Sequence, residues 1–244
     1  MEDLIYNLKI NFFIKMENKK ILIATPCFGG MCHSDYALSL CNTISELRRM
    51  GYYINTIMIK NQLVQRARNM LTNFFLKSEF THLLFIDSDI KWKVEDVLKL
   101  IQADKEVICA LYPNKIFKNN YETQFSSNIS IRDTKEGYDY NTNIGVIDLA
   151  ATGFLMIHKN AFEKLKPIVQ TYKNIQHNET LYDFWNCKII NNQWLTEDYY
   201  FSSLYNSINE KIYCDFSIQL VHIGTHEYTR NPIDFFKLNK NEKL

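Results

Sequence analysis

"LLFIDSDI", residues 83–90, carries four apolar side chains straight into two aspartates separated by one serine. With His82 before it, the apolar run is too short for a helix, and it lacks the alternation of a half-exposed strand. It reads as a strand buried on both faces, the habit of a parallel sheet. Asp87 then falls where that strand ends, and in open parallel sheets ligands bind in the crevice beyond the carboxyl ends of the strands. In an extended segment residues i and i+2 project to one side, so the Asp87 and Asp89 carboxylates can address a single point. Their repulsion needs an offset, and a hard divalent cation with oxygen ligands, Mg²⁺ or Mn²⁺, provides one. A helix cap is the competing use of such acids, but Asp87 lies too far ahead of the helix expected from Val94.

The same alternation extends outward in both directions. "ILIATPCFGG" (21–30) is a strand followed by a glycine turn, and Ala37, Leu40, Ile44 and Leu47 then recur at helical spacing up to Gly51. "YINTIMI" is a second strand, and the helix after it places Leu63, Ala67, Met70, Leu71 and Phe74 on its apolar stripe, with Gln62, Arg66, Asn69 and Asn73 on a polar one. Beyond Ile90, Val94, Val97, Leu98 and Ile101 form one face of a third helix, and "VICALYP" supplies a fourth strand. Repeated strand and helix predict an α/β fold, a mostly parallel sheet with right-handed crossovers and helices on both faces. Residues 114–143 are polar, Asn-rich and weakly periodic, and are expected to form a long excursion. "IGVIDLAATGFLMI" resumes strand character, "KNAFEKLK" is a short helix, and 167–194 is a second aromatic and polar excursion. A helix from Thr196, its expected N-cap, and a final strand "IYCDFSIQLVHIG" close the pattern.

Composition narrows the class. The chain has 244 residues, 46% of them hydrophobic, with 28 basic and 27 acidic residues spread evenly. That size suits one well-packed domain, and a net charge of +1 leaves no basic field for a nucleic acid partner. Residues 1–18 read as an N-terminal extension and 19–244 as a single domain. Six cysteines form no CxxC pair and several lie in apolar runs, which fits a reducing compartment; Cys27 and Cys32 alone make no soft-metal site. No stretch approaches the ~20 apolar residues of a membrane span, and the first residues lack a signal-peptide pattern. A cytoplasmic protein is expected, in a host cytoplasm if the Asn-, Ile-, Lys- and Tyr-rich composition reflects an AT-rich viral genome. The Asn128 and Asn178 sequons are read as chance matches.

Several motifs together carry a resemblance. "LLFIDSDI" resembles the DxD motif of GT-A fold glycosyltransferases, family-two-like enzymes that use nucleotide-sugars. "ILIATPCFGG", "QRARN", "ATGFLMIHKNAF", "TEDYYFSS" and "VHIG" follow in that family's order, covering roughly residues 20–226. The resemblance implies a GT-A, Rossmann-like domain that moves a hexose from a nucleoside diphosphate sugar, UDP-linked, to an acceptor hydroxyl on a glycan, protein or small molecule, with inversion. It implies metal ligands Asp87, Asp89 and His222, with His226 as the alternative third ligand, and Mn²⁺ or Mg²⁺ as cofactor. Thr25, Pro26 and Ser88 would line the nucleotide site, and Gly153 would let backbone approach the bound sugar. Arg66 or Arg68, with Asn69, would meet the diphosphate, for which a planar guanidinium is suited. An acid of the "TEDYY" stretch would be the catalytic base: Asp198 is the choice and Glu197 the second candidate. Trp185, Trp194, Tyr199 and Tyr200 are read as core packing before any sugar platform.

Rival readings remain. A sugar nucleotidyltransferase should carry a basic residue in a longer glycine-rich loop after the first strand, and "TPCFGGMCHSD" has neither Lys nor Arg. A haloacid-dehalogenase phosphatase places DxD on its first strand and a threonine where Lys91 stands here. A non-catalytic carbohydrate-binding protein would bind sugar and transfer nothing.

Overall fold

The computed structural model describes residues 19–60, 62–118, 122–125, 137–175 and 178–234. The expected extension at 1–18, positions 119–121 and 126–136 of the 114–143 excursion, and the Asn128 sequon lie outside them. The first half holds β1 (Lys20–Cys27), α1 (Ser34–Arg49), β2 (Tyr53–Lys60), α2 (Val64–Lys77), β3 (His82–Ile86), β4 (Ile90–Lys91), α3 (Val94–Ala103) and β5 (Val107–Cys109). Next come β6 (Pro113–Lys118), β7 (Glu122–Phe125), β8 (Tyr138–Asp139), β9 (Ile144–Ile147), β10 (Phe154–His158) and α4 (Lys159–Leu165). Two hairpins, β11 (Thr171–Asn174) with β12 (Glu179–Tyr182) and β13 (Lys188–Ile190) with β14 (Gln193–Leu195), precede α5 (Glu197–Ser207). The last strands are β15 (Ile212–Asp215), β16 (Val221–Ile223) and β17 (Glu227–Thr229).

The central sheet has eight strands in the order β2-β1-β3-β10-β5-β15-β9-β8, with β9 and β10 running against the others. It is the mostly parallel α/β sheet expected, with helices on both faces. The continuous apolar runs sort by parity across it. Leu22, Ala24, Leu83 and Phe85 join a core with Leu71 and Phe75 of α2, Phe162 of α4 and Phe201 of α5. Ile21, Ile23, Leu84 and Ile86 join the opposite core with Tyr36 and Leu40 of α1 and Val97 and Ile101 of α3. Each such side chain contributes about 1.5–3 kcal/mol when fully buried, so a strand covered twice holds two helical layers together.

Three expectations are corrected. "IGVIDLAATGFLMI" is two strands: β10 inserts antiparallel between β3 and β5, while β9 pairs with β15 near the sheet's edge. The closing strand is also two, and β16 leaves the main sheet to pair with β4 and β17. On α2 the buried face is turned from the stripe expected: Arg68, Asn69, Thr72 and Asn73 are buried, while Leu63 and Phe74 are exposed. Buried polar groups need partners, and each of these side chains has at least one, with Arg68 Nη1 the atom left over among them. Asn69 exchanges two hydrogen bonds with the backbone of Trp185, and Thr72 accepts the Trp185 indole N–H at 2.9 Å. Trp185, fully buried and stacked on Phe201 at 4.4 Å, is core rather than a sugar platform.

Candidate functional site

The strand ends where it should, and the two aspartates stand at the carboxyl edge of β3. The segment is not extended, however. Asp87–Ile90 closes a turn in which the Ile90 N–H donates to the Asp87 carbonyl at 3.1 Å. The turn is held from several sides: the Asp87 N–H donates to Gly153 O, His33 N–H to Ser88 O, and Ile223 N–H to Asp89 O, at 3.1, 3.0 and 2.8 Å. The start of α1, the start of β10 and strand β16 therefore all brace it.

Because of the turn, each carboxylate has its own cation. Asp87 Oδ1 accepts from Arg68 Nη2 at 2.9 Å, and Asp89 Oδ2 accepts from Lys115 Nζ at 2.6 Å. His222 Nε2 lies 3.5 Å from the same Asp89 oxygen. Burial works to raise the Asp89 carboxyl, but the bonds and charges of His222 and Lys115 outweigh it and hold the group at about 2.

Arg68 is nearly inaccessible, at 2% exposure, and spans two acids. Its Nε donates to Glu197 Oε1 at 3.3 Å, and its guanidinium lies over the Phe85 ring at 5.2 Å. Burial would ease its proton off, but the charges of Asp87 and Glu197 prevail and keep it firmly protonated. Glu197 and Asp198 open α5, with Thr196 at the N-cap as expected. The Thr196 hydroxyl caps no backbone N–H and bonds the Asp198 carboxylate instead. Asp198 Oδ1 also accepts the Tyr199 N–H at 2.8 Å. Burial first, and then the Glu197 charge, raise the Asp198 carboxyl above the usual aspartate range.

Between these groups sits Tyr112, which sequence reasoning missed. It is buried just past β5, its phenol held protonated by burial and by the nearby charges of Asp87 and Asp198. Its hydroxyl accepts the Gly153 N–H at 3.2 Å, and its ring meets His222 edge-on at 5.1 Å. A Cβ on Gly153 would fall 2.5 Å from that ring, so the close approach this glycine permits is to Tyr112. Lys115, from the excursion after β5, was missed as well; nothing in its weakly periodic surroundings marks it.

The remaining expected residues divide. Pro26, Ser88, Asp87, Asp89 and Arg68 line one cavity of about 200 Å³, with the exposed Phe28 at the glycine turn. Thr25 is fully buried, and its hydroxyl bonds the Tyr36 hydroxyl on the α1 side of the sheet. Arg66 lies on another face of α2, reaching Asn174 at 3.2 Å, and Asn69 is taken up by Trp185. His226 sits at the β16–β17 turn, where its carbonyl accepts the Gly224 N–H. A larger cavity of about 430 Å³ between β2, α2 and β12 is lined by apolar side chains such as Ile57 and Phe74 together with Asn73, Lys77 and Glu179, and touches neither acidic motif.

The fit of this site to a divalent ion is partial. His222 Nδ1 is 2.8 Å from the Pro113 carbonyl, which can only accept, so Nδ1 carries a proton and Nε2 is the nitrogen that faces Asp89. Asp89 and His222 are thus a suitable oxygen and nitrogen donor pair. Asp87 is turned to Arg68, and among the described residues no three His, Cys, Asp or Glu side chains stand as a ready metal cluster.

No protein-family model and no curated protein matches this chain. Among solved structures, A197 from STIV is similar with a TM-score of 0.52 and 17% identity, over 88% of this chain and 91% of that one. The likeness is one of fold. A 4-diphosphocytidyl-2C-methyl-D-erythritol synthase from Anaerococcus prevotii aligns at a TM-score of 0.36 and 15% identity, over 80% of this chain and 86% of that one, too distant to carry an argument. Among the described residues no helix is long and apolar enough to cross a membrane.

Proposed function

We propose that this chain is a metal-dependent GT-A-type glycosyltransferase that moves a hexose from a nucleoside diphosphate sugar, UDP-linked, to an acceptor hydroxyl with inversion. One observation carries the reading: Asp87 at the end of β3 and Glu197 at the start of α5 both bond Arg68, and Tyr112, held on the Gly153 N–H, lies beside Asp87 and Asp198. Two acids 110 residues apart, Asp87 and Glu197, are thereby brought to one crevice at the carboxyl edge of the sheet.

In this reading Asp89 and His222 would hold Mn²⁺ or Mg²⁺, with Asp87, still bonded through Oδ1 to Arg68, as the third donor. Such an ion supplies charge neutralisation to a leaving diphosphate. The nucleotide lies in the cavity beside Pro26 and Ser88, and Phe28, 88% exposed there, offers its ring as a face for the base. Asp198, with its raised carboxyl, accepts the acceptor's proton as the hydroxyl attacks the anomeric carbon. The rest of the work is holding donor and acceptor in line.

The test is incubation of the full chain with nucleoside diphosphate sugars, Mn²⁺ and hydroxyl acceptors, with release of nucleoside diphosphate as the readout. Release should stop in excess chelator. It should fall on the acid side at a pH above the ordinary aspartate value, because a raised Asp198 loses its negative charge sooner as pH drops. Pyrophosphate release from a nucleoside triphosphate and a sugar phosphate would point to a nucleotidyltransferase instead, and binding of sugar without turnover would point to a lectin-like protein.

A further inference from the structure

We propose that Arg68 is a positioning residue that ties the donor side of the site to its acceptor side, with Glu197 as its anchor, leaving Asp198 as the carboxylate that takes the proton. The inference rests on the transferase reading above and assigns separate roles to the two acids of the α5 first turn.

The guanidinium is a planar fork, and its positions are divided between elements that the chain brings together from far apart. Nη2 holds Asp87 at the end of β3, and Nε holds Glu197 at the start of α5. The Phe85 ring closes one face of the guanidinium. A lysine presents one compact charge and cannot span two carboxylates in this way. Removing one partner of such a buried pair leaves an uncompensated charge, so the geometry of each acid depends on the other through Arg68. Nη1 is buried and meets no acceptor among the described residues, and the Arg68 side chain lines the cavity with Pro26, Ser88 and Asp89.

Glu197 is committed to this bridge, and its side chain is 12% exposed. Asp198 is placed differently. Both bonds it receives, from Thr196 and from the Tyr199 N–H, fall on Oδ1, and no described residue bonds Oδ2. One oxygen is thus fixed by local donors, and the other is free to accept a proton. The charged and titratable groups facing Asp198 are Glu197, Arg68 and Tyr112. Of these, Glu197 is anchored on Arg68, a guanidinium has no lone pair to accept a proton, and the Tyr112 hydroxyl already accepts the Gly153 N–H.

The experiment compares Asp198→Asn, Glu197→Gln and Arg68→Lys for donor KM, kcat and thermal midpoint, after wild-type turnover is established. Absence of wild-type turnover with any donor overturns the transferase reading itself. With turnover in hand, Asp198→Asn should lower kcat by about 10²–10⁴-fold with little change in donor KM. Its midpoint should not fall, since it removes a charge that burial disfavours. Glu197→Gln should keep measurable turnover, raise donor KM several-fold and lower the midpoint by roughly 4 °C or more, because Arg68 loses a counter-charge. Arg68→Lys should raise donor KM and lower kcat together while remaining folded. Titration of each variant with a nucleoside diphosphate gives the donor-side effect without turnover. The proposal is overturned if Glu197→Gln abolishes turnover as completely as Asp198→Asn with donor KM unchanged. It is equally overturned if Arg68→Lys binds and turns over donor like the wild type.

Discussion

Replacing Gly153 by alanine should strain the site at its centre. The new Cβ would stand 2.5 Å from Tyr112 Cζ and 2.6 Å from both Cε1 and the hydroxyl oxygen, where real contacts begin near 3.4 Å. Tyr112 has little freedom to retreat, because its buried ring is already edge-on to His222 at 5.1 Å. Overpacking of this kind costs about 1–3 kcal/mol. Displacing the ring also loses the Gly153 N–H bond to the Tyr112 hydroxyl, about 1 kcal/mol more. The sum, about 2–4 kcal/mol, should lower the thermal midpoint of a domain this size by on the order of 10 °C. Urea unfolding followed by near-ultraviolet circular dichroism gives the same quantity at constant temperature. Tyr112→Leu makes room at the same contact, so the double variant should cost at least about 1 kcal/mol less than the two single variants added. A Gly153→Ala protein that unfolds with the wild type, or strict additivity in the cycle, would refute the close-contact reasoning. The strain should also reach the acidic turn, since the Gly153 carbonyl holds the Asp87 N–H.

Two further outcomes follow from the electrostatics. Burial, and then the charge of His158, hold the His82 imidazole down to about 3, so the folded protein refuses a proton that the unfolded chain accepts below 6.5. That stability is intact above pH 6.5 and lost as pH falls, by at most about 2 kcal/mol at pH 5. His82→Gln should flatten the pH dependence of urea midpoints between 6.5 and 5, and an unchanged slope would count against it. Lys115→Ala should tighten Mn²⁺ binding, read by calorimetry, because the lysine ammonium competes for the Asp89 oxygen. A partly exposed pair of about 1 kcal/mol corresponds to roughly fivefold, and weaker binding would contradict the competition.

The βα units were legible because each rests on local periodicity, and the carboxyl end of β3 followed from one continuous apolar run. The antiparallel insertion of β10 was not, since "FLMIH" carries no mark of which neighbours it will pair with or in which sense. The phase of α2 was misread for a related reason. Asn69 and Asn73 look like part of a solvated stripe, and Arg68 and Thr72 carry no mark of burial, until Asp87, Trp185, Glu179 and Glu197 are brought to them. Three of those four partners lie more than a hundred residues away, and no window of sequence contains them. Tyr112 could have been found by the rule that located Asp87, because "VICALY" also runs an apolar strand into a polar-tipped side chain at the sheet's edge. The turn at Asp87–Ile90 could not, because extended and turned backbones share that sequence, and bracing by His33, Gly153 and Ile223 decides between them.

The account stands on the acidic turn after β3 being where a divalent ion and a nucleotide diphosphate meet the protein. Crystals grown with Mn²⁺ and a nucleoside diphosphate test this directly through anomalous scattering. The account predicts one manganese peak within coordination distance of Asp89 Oδ2 and His222 Nε2, with Lys115 displaced and diphosphate density reaching toward Arg68. A nucleotide ordered elsewhere, with Lys115 still bonded to Asp89 and no manganese beside His222, would contradict it.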